Sequence, residues 1–148
     1  MANTKVIYTN GCQFKEIEMA SGALDIHQGD NINYNSSGYG KASSDTSGEV
    51  FAGVAMEELK VASADNGTAG TYKLKIIPAG AGNIVRRKLG ATRSTALPGT
   101  DVYIGLSASS PAANEVALAT VSTNTITNNV KVGKVFAFVS TTEADIAI

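Results

Sequence analysis

Cys12 and His27 are the single cysteine and single histidine of a 148-residue chain. They are its best candidates for nucleophilic and acid-base chemistry. A thiol nucleophile needs a base within hydrogen-bond reach and a third group to orient that base. Cys12 lies in Asn10-Gly11-Cys12-Gln13 and His27 in Asp25-Ile26-His27-Gln28-Gly29, ahead of a turn. The pair makes at most a partial dyad, so Cys12 reads as a small packing residue and His27 as a loop histidine. Two residues of these types also fall short of a closed zinc site. Asp25, Asp30, Asp45, Asp65 and Asp101 all neighbour turns, but their spacing is not that of a calcium-binding EF-hand loop, and turn capping is the preferred reading. The expectation is a protein that is not an enzyme, with no catalytic residue, metal site, cofactor or small-molecule substrate.

The segment Pro78-Ala79-Gly80-Ala81-Gly82-Asn83-Ile84-Val85 superficially resembles a dinucleotide loop. The third small residue of that pattern lets a helix pack close to its strand, and Val85 stands in its place. No Gly-Lys-Ser/Thr follows to make a phosphate loop, so the segment reads as a connection.

Charge is the more suggestive signal. The chain has 12 Lys+Arg and 13 Asp+Glu, a formal net charge of −1, which excludes a strongly basic nucleic-acid binder. The distribution is uneven. Residues 1–65 hold 4 basic and 9 acidic side chains, residues 66–100 hold 6 basic and none acidic, and residues 101–148 hold 2 basic and 4 acidic. The basic six are Lys73, Lys75, Arg86, Arg87, Lys88 and Arg93. Lys73 and Lys75 alternate with apolar residues and should share the solvent face of a strand. Arg86-Arg87-Lys88 reads as part of a long loop, at about 78–100. The aromatic interleaving of a single-strand nucleic-acid binder is absent there, so the six are candidate contacts to an acidic protein surface.

The elements that must carry these residues are strands. Ala, Gly, Ser and Thr make up 63 of the 148 residues, and there is no Trp. Apolar residues recur with period two in short stretches: Val6–Tyr8, Phe14–Ile17, Ile32–Tyr34, Glu49–Met56, Thr71–Ile77, Asp101–Leu106, Glu115–Val121 and Lys131–Val139. Between them stand turn residues such as Gly29-Asp30, Asp65-Asn66-Gly67, Pro98-Gly99 and Asn128-Asn129. This pattern predicts an all-β protein, a single compact barrel or sandwich domain over 29–148, with an extended N-terminal arm and the first short strands over 1–28. Only Ala55–Ala62 has helical composition, enough for a turn or two. The sequence also carries an internal echo. Gly29-Asp30-Asn31-Ile32-Asn33-Tyr34 and Gly99-Thr100-Asp101-Val102-Tyr103-Ile104 each run from a glycine turn into a strand. Each is followed later by a glycine-containing strand, Val50–Met56 and Val130–Val139. A duplication would imply two similar β halves closing one core. The start, Met1-Ala2-Asn3-Thr4-Lys5, lacks the pattern of a secretory signal, and no stretch is apolar enough to span a membrane. Synthesis in a cytoplasm is expected.

Taken together, four segments resemble the small decoration (cement) proteins of tailed-bacteriophage capsids: Gly29-Asp30-Asn31-Ile32, Phe51-Ala52-Gly53-Val54-Ala55-Met56-Glu57, Pro98-Gly99-Thr100-Asp101-Val102-Tyr103 and Val130-Lys131-Val132-Gly133-Lys134-Val135. The resemblance spans residues 25–140 and implies a compact β domain, in some members of the β-tulip type, that binds the outer face of the expanded head. It implies the major capsid protein as partner, a homo-oligomer with a trimer favoured over a dimer, a place on the virion exterior after synthesis in the host bacterium, and no active site. Neither nucleic acid nor membrane is an expected partner. A receptor-binding or host-surface-binding fibre module is the alternative, although no stem repeat is visible.

Overall fold

The computed structural model describes residues 5–8, 14–44, 46–89, 98–104, 115–118 and 130–148, with the backbone alone at 5–8 and 115–118. Cys12, Asp45 and Arg93 lie outside the described residues. The strands are β1 (Lys5–Tyr8), β2 (Lys15–Glu18), β3 (Leu24–Ile26), β4 (Asn31–Tyr34), β5 (Gly40–Ala42), β6 (Val50–Ala55), β7 (Leu59–Val61), β8 (Lys73–Pro78), β9 (Ile84–Leu89), β10 (Asp101–Tyr103), β11 (Glu115–Leu118), β12 (Lys131–Ser140) and β13 (Glu143–Ala147). The fold is all-β, as read from the sequence. Its one helical piece among the described residues is a 3₁₀ turn at Ser63–Asp65. The stretch of helical composition instead ends β6, turns and forms β7.

The strands make two rings. In the first the order is β2-β8-β6-β4-β5. A parallel bridge between Met19 and Gly40, with Ala20 N donating to Gly40 O at 2.9 Å, joins its ends. In the second the order is β9-β13-β12-β10-β11, and β11 closes on β9 in parallel through Lys88–Glu115 and Leu89–Val116. β1 shares that edge of β9. Strand for strand the two rings have one topology, each with a single parallel seam.

The correspondence extends to register. Ile17 opposes Leu74 in the first ring and Arg87 opposes Ala144 in the second; Ile32 opposes Gly53 and Val102 opposes Gly133. Each glycine sits where the pairing shifts by one residue, a β-bulge that re-aims the strand's side chains. Ala52 and Ala55 thereby both join the first ring's core, and Val132 and Val135 both join the second's. A Cβ on Gly53 would lie 2.0 Å from Ile77 O, and one on Gly133 would lie 2.0 Å from Ala147 O. The glycine turns match as well: Gly29 N donates to Ala55 O and Gly99 N to Val135 O, both at 2.8 Å. The segments that echo each other in sequence, Gly29–Tyr34 and Gly99–Ile104, thus contain β4 and β10, which hold the same place in the two rings.

The first core contains Ile17, Met19, Ile32, Leu74 and Ile76, covered by Leu24 and Ile26 of the β3–β7 pair. The second contains Val85, Leu89, Val102, Ala144 and Ile146, and it also takes in Phe51, Val54 and Ile77 from the first ring's strands. Two expectations are corrected by this arrangement. Residues 14–28 are not an extended arm: β2 is a ring strand, and Ile17, Met19, Leu24 and Ile26 are core residues. The basic loop expected at about 78–100 is strand from Ile84 to Leu89, bonded to β13 along one edge and to β1 and β11 along the other. The alternation Val85, Arg87, Leu89 turns these three inward, and satisfying the backbone on both edges outweighs the crowding of three successive cations.

Candidate interaction surface

The basic residues that cluster in sequence are, among the described residues, divided between β8 of the first ring (Lys73, Lys75) and β9 of the second (Arg86, Arg87, Lys88). Lys73 and Lys75 are exposed on β8, but register sets Glu18 and Glu16 directly across from them on β2. Lys73 Nζ lies 4.0 Å from Glu16 Oε1. Arg86 is paired with Asp145 of β13, Nε donating to Oδ1 at 2.9 Å and Nη2 to Oδ2 at 3.3 Å. That hydrogen bond raises the Arg86 pKa further above its ordinary value, against the opposing effect of burial. Lys88 stands in register between Glu143 and Glu115.

Arg87 is 0% exposed. Its Nη1 donates to Gly29 O and to Asn31 Oδ1, both at 2.7 Å, and its Nε to Arg86 O at 3.0 Å. Burial pushes the guanidinium down to about 10, opposed by the charge of Asp30. As a candidate capsid contact Arg87 is therefore corrected to an internal tie between β9 and the turn that precedes β4. Each cation of β8 and β9 at an outward position meets an acidic residue on the neighbouring strand, because strand pairing brings the acidic segments of the chain against its basic one.

His27 is a half-exposed loop residue, with Nε2 4.0 Å from Asp25 Oδ1 and Nδ1 3.8 Å from Asp30 Oδ2. Asp30 Oδ2 accepts from His27 N at 2.9 Å, so this carboxylate caps its own turn. Asn35 does the same for the next one, its Oδ1 accepting from Ser37 N and Tyr39 N, both at 3.0 Å.

The surface that sequence reasoning missed lies on β12. Phe136 and Phe138 are 53% and 44% exposed and alternate outward with Lys134, while Val135 is buried in the core. Asp101 sits beside them on β10, held by Lys131 Nζ at 3.0 Å and Lys134 Nζ at 3.7 Å. The signal was present in Val135-Phe136-Ala137-Phe138-Val139, a strand apolar on both faces. One face fills the ring, and the other needs a second cover. Met56, the residue just after β6 that matches Phe136, packs with Phe51 and Val54 of β6 against the second core, whereas Phe136 and Phe138 on β12 are open to solvent. Comparison of the chain with protein-family models, curated proteins and solved structures returns no match.

Proposed function

We propose that this chain is a structural virion protein that decorates the outer surface of a bacteriophage capsid, docking on the major capsid protein through the outer face of β12. The observation that carries the reading is the pair Phe136 and Phe138, half-exposed on a strand whose other face is core. Burying an aromatic side chain of this kind stabilises a contact by roughly 1.5–3 kcal/mol. Two per copy make a modest site, and repetition over a lattice, or a homotrimer engaging three sites together, multiplies the effect through effective concentration. Lys131 and Lys134 beside the patch supply charge that steers approach to an acidic lattice. The two rings behind the patch share a core and are tied by Arg87.

Purified protein added to undecorated expanded heads and imaged by electron microscopy tests this. The wild-type chain is expected in ordered copies over the shell, and a Phe136→Ser, Phe138→Ser variant is expected to leave the heads bare while keeping its own melting temperature. Equal decoration by the variant removes β12 as the docking face. Binding to host cells with bare heads replaces the reading by that of a host-surface module.

A further inference from the structure

Asn33, Lys41 and Glu49 form a polar cluster on the first ring, apart from the β12 surface. Asn33 on β4 and Lys41 on β5 are direct cross-strand partners, so their side chains leave the sheet on one face. Glu49, just ahead of β6, lies between them. Lys41 Nζ donates to Glu49 Oε1, and to Ser44 Oγ at 3.0 Å. Asn33 Nδ2 donates to Glu49 Oε2 and to Ser44 O, both at 2.9 Å. Asn33 is 0% exposed and the Glu49 side chain 6%. Asn33 Oδ1 is buried without a hydrogen-bond partner among the described residues, a condition rare enough in folded proteins to require a reason. One carboxylate thus bridges an amine nitrogen and a carboxamide nitrogen, the nucleophile and the leaving group of an amide exchange.

We propose that this cluster is a self-modification site at which Lys41 and Asn33 join in an intramolecular isopeptide bond, with Glu49 as the proton carrier. Burial alone would raise the Glu49 carboxyl, but the hydrogen bonds from Lys41, Asn33 and Ser44 outweigh it and hold it below its ordinary range. The resting pair is therefore carboxylate and ammonium, and the first step is transfer of a proton from Nζ to Oε1. The free amine attacks Asn33 Cγ, forming the Nζ–Cγ bond and a tetrahedral centre. Glu49 delivers its proton to Nδ2 and accepts one from Nζ. The Cγ–Nδ2 bond breaks, the nitrogen leaves as ammonia and takes the remaining proton from Glu49, which is again a carboxylate. Nothing is oxidised or reduced, and no co-reactant is required. Fixing both reacting groups on paired strands supplies the proximity that makes such an exchange feasible without an external enzyme. The bond would tie β4 to three-residue β5, the strand whose other side meets the β2 end of the ring through a single bridge.

Mass spectrometry of the full chain decides the matter. The tryptic digest is expected to contain an uncut peptide from Glu16 to Lys60 that lacks one ammonia, because an acylated Lys41 is no longer a cleavage site. Lys41→Arg, which keeps a cation for Glu49, and Glu49→Gln are each expected to retain the full sequence mass. A wild-type chain cleaved at Lys41 at its full mass overturns the proposal. So does an ammonia loss that persists in Lys41→Arg, the signature of ring closure at Asn66-Gly67 instead. Continued linkage in Glu49→Gln removes Glu49 as the carrier.

Discussion

Arg87 occupies in the second ring the place that Ile17 holds in the first, each standing across from the strand that follows it around its ring, Ile17 opposite Leu74 and Arg87 opposite Ala144. One is an ordinary core residue and the other a buried cation that reaches out to Gly29 O and Asn31 Oδ1. The exchange converts an interior position of one unit into a fastening between two. Arg87→Ala is expected to destabilise the protein by about 3–5 kcal/mol, since it opens a cavity and withdraws charge-assisted donors from buried acceptors. Arg86→Ser, which takes the partner from a buried Asp145 carboxylate but opens no cavity because Arg86 itself is partly exposed, should cost less, about 1–3 kcal/mol. Urea unfolding measures both; equal losses would mean that Arg87 fastens nothing.

Gly53 and Gly133 are required by contact with the neighbouring backbone. A methyl group at either would meet a carbonyl oxygen at 2.0 Å, and strand backbone hydrogen-bonded on both sides has little room to yield. Gly53→Ala and Gly133→Ala are each expected to cost about 3 kcal/mol. Gly80→Ala meets no atom within 4 Å, but Gly80 has a φ of 81°, so its cost comes from conformation alone, about 1 kcal/mol. Thermal melts of the three variants should rank accordingly.

The sequence discloses the strand class and most strand positions because period-two alternation and glycine turns are local properties. It also discloses the echo between Gly29–Tyr34 and Gly99–Ile104, since both segments keep the turn and strand that their shared place demands. It conceals the ring closures, because Met19–Gly40 and Leu89–Val116 join residues that no local pattern relates. It misleads at Arg86-Arg87-Lys88, where three cations suggest solvent while pairing on both edges fixes a strand. Phe136 and Phe138 pass for core residues until the bulge beside Gly133 decides which face of β12 looks inward.

Asp101 should contribute to acid sensitivity. The hydrogen bond from Lys131, with the charges of Lys131 and Lys134, holds its carboxyl below the ordinary value of 3.8. A carboxyl lowered in the folded state stabilises the fold above its unfolded pKa, and that contribution is lost as pH falls through the lower folded value. Asp101→Asn is therefore expected to be less stable than wild type near neutral pH, with the difference vanishing in acid below 3.8 and shrinking in high salt. Chemical denaturation across pH checks this, and a difference independent of pH would assign the effect to packing.

The charges of the two rings are exchanged with respect to each other. In the first, acidic β2 (Glu16, Glu18) lies against basic β8 (Lys75, Lys73); in the second, basic β9 (Arg86, Lys88) lies against acidic β13 (Asp145, Glu143). Two units of one topology in one chain invite strand exchange, either within a molecule or between copies. Pairing β2 with β13 would set acid against acid, and pairing β9 with β8 would set base against base. Each such opposition costs about 0.2–1 kcal/mol, and four of them together disfavour the wrong assembly while the correct one gains. The charges of β2, β8, β9 and β13 thus have a role within the chain itself. Glu16→Lys with Glu18→Lys is expected to destabilise the first ring, and adding Lys73→Glu with Lys75→Glu should restore its stability. The fourfold variant, however, would carry two interchangeable basic strands and two interchangeable acidic ones. On refolding it should yield strand-exchanged oligomers, read by size-exclusion chromatography with light scattering, where the wild-type chain returns to its native state. Clean refolding of the fourfold variant would show that the charge exchange has no part in selecting strand partners.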